Sequence, residues 1–341
     1  MRKESAVRRI MRNKATPLFL ILVVLIIATM ILSSGVLNGE PFSALFTKGF
    51  MSTGNLRSIF YSLVIQCVMM CGIALILISG NIDLSVGAQA SMACMIFAYL
   101  HNSSGLPWYL VFIIVVVGAV LMGLINTFLT VKLGFPAFIA TIGMSSIYAG
   151  VCNLITAGNN ITLIQSDFLV IGTTTVFDCI PVIFIFALVL MLVFQFIMSR
   201  TRFGRNIFVA GGNRNAARLA GLNPNKITMV LFIINSIMAA VGGLLWVSQI
   251  GTASPTAIIT AAPDMKVISA SILGGVAFTG GSGNLGGPFI ALLLLNVLDN
   301  MLKVIGVQPY WTVFAQGALL AIALAFDYVS WKRRQRALLA R

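Results

Sequence analysis

Residues Pro181 to Arg205 read PVIFIFALVLMLVFQFIMSRTRFGR, an uncharged apolar run over 181–199 followed by Arg200, Arg202 and Arg205. A bilayer core about 30 Å thick is crossed by about 20 apolar residues in a helix. The run has that length, and its abrupt basic end is how a spanning helix meets water. A membrane β-barrel would instead show strands of about 10 residues with alternating polarity. Neither this run nor Leu18 to Leu32 alternates. Across the whole chain of 341 residues, 59% are hydrophobic and 9% charged, against roughly 25% charged in a soluble domain. So little charge cannot clothe a water-facing surface. The fold class is an all-α polytopic membrane protein.

The formal net charge is +14, yet the basic residues are not spread as a nucleic-acid interface would need. Arg2, Lys3, Arg8, Arg9, Arg12 and Lys14 precede the first apolar run. Arg200, Arg202, Arg205, Arg214, Arg218 and Lys226 fill one internal segment, and Lys332, Arg333, Arg334, Arg336 and Arg341 form the tail. Basic blocks between spans are what the positive-inside rule produces, so insertion into the membrane explains the charge and no nucleic-acid partner is expected. The organisation expected is a cytoplasmic basic N-terminus (1–16), a transmembrane domain (17–329) with a cytoplasmic loop at 200–226, and a cytoplasmic tail (330–341). Ser33-Ser34-Gly35 resembles a signal-peptide cleavage site, but the number of spans that follow favours an uncleaved first helix.

Proline suits the first turn of a helix because its missing N–H would be unpaired there. With Pro17, Pro107, Pro136, Pro181, Pro288 and Pro309 as starts, the apolar runs predict about ten spans, near 17–34, 58–79, 85–100, 107–131, 136–156, 181–199, 227–249, 266–279, 288–306 and 309–328. The three basic blocks are then separated by six and four crossings and share one side. The segment 157–180, which carries Asp167 and Asp178 without Lys or Arg, falls on the other. The run 266–279 is short for a full span and is expected to be tilted, broken or continued by the glycines after it.

A catalytic or metal-binding constellation is not evident. His101 is the sole histidine, and Cys67, Cys71, Cys94, Cys152 and Cys179 lack metal spacing. Gly280 to Gly287, GGSGNLGG, is glycine-rich but lacks the Lys-Ser or Lys-Thr ending of a phosphate loop. Its glycines allow either close helix packing or an unwound backbone beside a polar cavity. Charged and polar groups between apolar runs are the candidates for function. Asp83 and Ser85, in GNIDLSVG (80–87), either cap the third helix or, with Asn126, line a solute path. Asp299 and Lys303, spaced i, i+4, either neutralise each other or line that path.

The segment 200–226 holds a second pattern. Arg214 to Ala220 reads as a short helix, with Asn213 placed to cap its start and Gly221 to close it in the left-handed conformation. Ala216, Ala217 and Ala220 form a small face, and Arg214 and Arg218 a basic one. Attraction to acidic membrane lipid accounts for the charges. Docking to a cytosolic partner accounts for the charges and for the helix.

In this order along the chain, the motifs resemble the monosaccharide-type permeases of bacterial ATP-binding-cassette importers, such as those for ribose, xylose and galactose. Gly80 to Gly87 is similar to that family's GGIDLSVG, with Asn81 in place of a glycine. Asn126 to Gly143, NTFLTVKLGFPAFIATIG, is similar to its segment ending PPFIATLG. Thr201 to Arg205 with Gly211, Gly212, Asn213, Ala216, Ala217 and Gly221 resembles its basic loop, and Leu273 to Gly275 with Gly280 to Gly287 its glycine-rich region. The resemblance spans about Ser58 to Asp327. It implies a type II importer fold with two permeases, either copies or paralogues, and two cytosolic ATPase subunits. Asn213, Arg214, Ala216, Ala217, Arg218, Leu219 and Gly221 would then form the helix that couples to the ATPase. Asn81, Pro288 and the Asp299/Lys303 pair depart from the family pattern and bear on the solute.

The expectation is therefore a multi-pass subunit of the bacterial inner membrane, with both termini cytoplasmic. It would import a monosaccharide or similar small polar solute delivered by an extracytoplasmic binding protein. It would hold no cofactor and do no covalent chemistry, since ATP and magnesium would sit on the partner ATPase. The rival is an ion-coupled secondary transporter using Asp83, Asp299 or Lys303.

Overall fold

The computed structural model describes residues 15–36, 39–164 and 167–308, with positions 311, 314, 317, 318 and 321. The expected basic N-terminus, basic tail and most of the expected tenth span at 309–328 lie outside the described residues. The long helices, in chain order, are α1 (Ala15–Ser33), α2 (Thr53–Ile78), α3 (Val86–Ser104), α4 (Trp108–Thr127), α5 (Ala137–Thr156) and α6 (Val182–Arg200). Next come the shorter α7 (Arg202–Gly212) and α8 (Arg214–Leu219), then the long α9 (Pro224–Ile250). The short α10 (Ala257–Ala261) and α11 (Pro263–Leu273) precede α12 (Gly286–Val304). Pro107, Pro136 and Pro181 each stand at a helix N-cap, one residue before the first turn in which the missing-donor argument puts them.

Seven of these helices are long and apolar enough to cross a membrane: α1, α2, α4 with its widened last turn, α5, α6, α9 and α12. The chain is a helical multi-pass membrane protein. The helix α3 is as long as α1 but richer in small and polar residues, and most of its first three turns are buried in the protein, where no lipid demands hydrocarbon. At the centre stands α2, 26 residues or about 39 Å long at the α-helical rise. Of its most apolar window 89% is buried, against 22% for α5, so α2 is the hub and α5 lies at the periphery. The other hub, α9, packs on α2, α3 and α4, while α12 packs on α1, α2 and α11.

The run 266–279 is not one helix. Its helical part is α11, which ends at Leu273, and α10 lies just before it. Ala262 between them sits in the left-handed region at φ +43°, and Pro263 opens α11. Proline cannot take the amide bond that would carry α10 through, so the chain turns at Ala262 and restarts. From Gly274 the backbone leaves helical geometry until Gly286.

The glycines around this stretch serve close backbone approach. Gly281 N–H donates to the Ile78 carbonyl at 2.8 Å. A Cβ on Gly280, itself at φ +83°, would lie 2.8 Å from Gly80 Cα and from the Gly211 carbonyl. Three segments thus meet backbone to backbone: the exit of α2, the end of α7 and the loop before α12. Close packing is the reading of the glycines that holds here: the backbone from Gly274 to Gly286 is unwound, but it lies against other backbone and lines neither of the polar cavities described below. The helix α7 lies in the segment 200–226 in addition to the short helix that the sequence predicts after Asn213. Its start is capped by Thr201 Oγ1, which accepts from Gly204 N–H at 3.2 Å.

A Cβ on Gly211 would collide with the Ile78 carbonyl, whereas one on Gly212 would meet Gly281 Cα at an ordinary 3.7 Å. Gly211→Ala should therefore cost about 1–3 kcal/mol and lower the melting temperature in detergent. Gly212→Ala should leave it nearly unchanged.

Candidate functional site

Asp83 is 3% exposed and sits between α2 and α3 inside the bundle. A carboxylate there must have its oxygens satisfied by the protein. Its Oδ1 accepts from Ser85 N–H (2.9 Å) and Ser85 Oγ (2.6 Å). Its Oδ2 accepts from Asn235 Nδ2 of α9 (3.0 Å) and, at 3.4 Å, from Asn126 Nδ2 of α4. Ser85 Oγ also accepts from Gln89 Nε2 (2.8 Å) and Asn126 Nδ2 (2.9 Å). Tyr148 of α5 donates to Asn126 Oδ1 at 3.4 Å, and Thr141 Oγ1 accepts from Leu84 N–H at 3.0 Å. This knot ties α3, α4, α5 and α9 to one loop.

The structure corrects the expectation that Asp83 or Ser85 caps the third helix. Ser85 holds the cap position but its side chain makes no capping bond. The acceptor comes from elsewhere: Asp264 Oδ2, at the start of α11, takes Gly87 N–H at 3.3 Å. Asp83 is already spent on Ser85 and the two asparagines.

Two residues beyond Asp264, the same helix supplies a second polar contact. Lys266 Nζ forms an ion pair with Asp299 of α12, and both side chains are about nine-tenths buried. The interhelical partner of Asp299 is therefore Lys266, a residue read from the sequence only as the start of a run. Along α12, Asn296, Asp299, Asn300 and Lys303 recur at helical spacing and turn toward the polar stripe of α2. Asn296 Nδ2 donates to Gln66 Oε1 (2.6 Å), and Ser62 Oγ to Asn296 Oδ1 (3.2 Å). Asn55 and Asn300 exchange two amide bonds at 2.7 and 2.9 Å.

This seam encloses a cavity of about 290 Å³. Ser58, Ser62, Gln66, Lys266, Asn296, Asp299, Asn300 and Lys303 line it with Trp246 of α9 and Pro263 at the break before α11. Irregular backbone inside a membrane bundle is tolerated where it is buried in protein or lines a polar cavity, and the break before α11 does the latter through Ala261 and Pro263. Of the residues proposed for a path, Asp299 and Lys303 line this cavity. Asp83, Ser85 and Asn126 are in the buried knot instead.

At the other end of the bundle, α8 takes the form its sequence predicts. Asn213 Oδ1 accepts from Asn215 N–H (2.9 Å) and Ala216 N–H (3.0 Å). At the far end Gly221 N–H bonds to Arg218 O, Leu222 N–H bonds to Ala217 O, and Gly221 stands at φ +77°. That is the paired closure in which a left-handed glycine satisfies the last carbonyls. The small face, however, is divided. Ala217 is fully buried against the protein, while Ala216 and Ala220 are exposed and Leu219 is 91% exposed. An isolated leucine held out by a doubly capped helix is the outward feature of this segment. The family resemblance puts Leu219 in this helix, and the tertiary structure adds that it is the side chain turned most fully outward.

Apolar helices of spanning length around a polar seam define a multi-pass membrane protein, and comparison with known proteins makes it a permease. Residues 55–324 match the family described as the permease component of the branched-chain amino acid transport system. The D-allose transport system permease protein of Escherichia coli is 31% identical over 84% of this chain and 87% of its own length. The ribose import permease protein of Haemophilus influenzae is 30% identical over 85% of this chain and 90% of its own. The autoinducer 2 import system permease protein of Yersinia pseudotuberculosis is 30% identical over 82% and 79%. The chain belongs to this family, the monosaccharide-type permeases of ATP-binding-cassette importers.

Removing one partner of a buried ion pair strands the other and costs about 3–5 kcal/mol, whereas replacing both with apolar residues is often neutral. Lys266→Met and Asp299→Leu should each lower the detergent melting temperature, and the double variant should recover most of the loss. Additive losses would show that the two side chains do not interact.

Proposed function

We propose that the chain is the membrane-spanning subunit of an ATP-driven importer for a monosaccharide or similar small polar solute. The observation that carries this reading is the seam between α2 and α12, which sets hydroxyls, amides and an ion pair around a cavity inside the helical bundle. A polyhydroxylated solute shedding its water needs donors and acceptors of that kind at short range. The relatives named for D-allose, ribose and autoinducer 2 support it. The family's description names branched-chain amino acids. A shared fold carrying different solutes is the expected pattern, because the solute is read by a few lining side chains.

In this reading the domain is 17–329 with ten spans in the bacterial inner membrane. The 1–16 and 330–341 segments and the 200–226 loop are cytoplasmic, which the grouping of Lys and Arg supports. Two permeases, either copies or paralogues, pair with cytosolic ATPase subunits that carry ATP and magnesium, and a binding protein delivers the solute. This chain contributes no covalent chemistry. Asn213 and Gly221 shape α8, and Leu219 with Ala216 is the surface that enters the ATPase. Asp299 and Lys303 flank the path. Asp83, Ser85 and Asn126 hold the helices that move around it.

Because Ala217 is buried, substitution there would test folding and not docking. Leu219→Asp alters only an exposed side chain. In vesicles containing this chain with its ATPase, it should reduce ATP-dependent uptake at least tenfold and leave the melting temperature unchanged. Uptake at the original rate would rule out α8 as the coupling element. Uptake driven by an ion gradient without any ATPase would favour the secondary-transporter reading.

A further inference from the structure

Between α8 and the turn that joins α4 to α5 lies a second cavity, of about 570 Å³. We propose that it is a headgroup site for an anionic phospholipid of the surrounding bilayer. This goes beyond the importer reading, which does not require it.

Arg214 and Arg218 line the cavity with Asn81, Thr130, Asn225 and Thr228, and its lining contains no Asp or Glu. Arg214 Nη2 donates to Thr228 Oγ1 at 3.3 Å, which holds the guanidinium in place and leaves its other donors for a ligand. Two guanidinium groups with neutral amides and hydroxyls, and no competing carboxylate, suit a phosphate, whose oxygens accept forked bonds from arginine. Lys132, in the turn after α4, adds a third cation at this end, its Nζ 5.8 Å from the centre of the Phe128 ring.

The rim indicates that the phosphate belongs to a lipid. Phe135 and Phe138 line the cavity and are exposed, and they continue the exposed apolar faces of α4 and α5 through Ile125, Phe128, Ile139 and Ile142. Acyl chains lying on that wall end where the arginines begin. A free phosphate would make no use of the aromatic rim. The geometry also divides the labour on α8: Arg214 and Arg218 line the cavity and the exposed Leu219 does not, so a bound lipid leaves the leucine free for another contact.

Native mass spectrometry of the full chain in detergent, with equal dioleoyl phosphatidylglycerol and phosphatidylcholine, tests the site. Phosphatidylglycerol should be retained in preference. Its retention should fall roughly fivefold per arginine lost in Arg214→Gln/Arg218→Gln, with phosphatidylcholine unchanged. Arg214→Lys/Arg218→Lys, which keeps the charge, should retain most of the binding. Phe135→Asp leaves both arginines in place and should also weaken retention, so the result does not hang on one variant's folding. Equal retention of the two lipids, or retention indifferent to both the glutamine and the Phe135 changes, would overturn the proposal. So would complete displacement of phosphatidylglycerol by equimolar inorganic phosphate, which would assign the cavity to a free anion.

Discussion

In lipid, a polar group has no water to fall back on, so each one inside the bundle must find a partner within the protein or be lost as a large free-energy cost. Asp83 shows how far this constrains the fold. Ser85 answers one of its oxygens, and asparagines of α4 and α9 answer the other. Those side chains can meet only if four helices stand in one arrangement. Without the hydrophobic effect to drive helices together in lipid, such bonds and close packing supply the specificity.

The same requirement explains why α11 is short and offset. It begins after a break at Ala262, and within its first turn it delivers Asp264 to the open N-terminus of α3 and Lys266 to Asp299. A continuous helix through 257–279 would carry these two residues on a different path. The break thus creates the cavity wall and joins the two polar clusters through a single turn of helix. Rearrangement of α11 would disturb both.

The glycine junction provides the mechanical complement. Gly80, Gly211 and Gly280 bring the exit of α2, the end of α7 and the loop before α12 into backbone contact, with Gly281 hydrogen-bonded to Ile78. Side chains would separate these segments and introduce slack. Their absence lets the end of α7 lie directly against the exit of α2 and the loop before α12.

Much of this was legible in the residues alone. Apolar runs of bilayer length, prolines at 107, 136 and 181, and the Asn213 and Gly221 caps of α8 are local features, set by hydrophobic length and by backbone chemistry within a few residues. The sequence by itself therefore determined that the chain crosses a membrane, where most spans begin and that a capped helix follows Asn213. Tertiary structure alone decided that Asp264 caps α3 from 177 residues away, that Lys266 answers Asp299, that Ala217 is buried while Leu219 is not, and that the run at 266–279 is broken. Each of these depends on which helix faces which. Hydrophobic periodicity cannot specify that for helices surrounded by lipid, because neighbouring protein and neighbouring hydrocarbon ask for nearly the same apolar face.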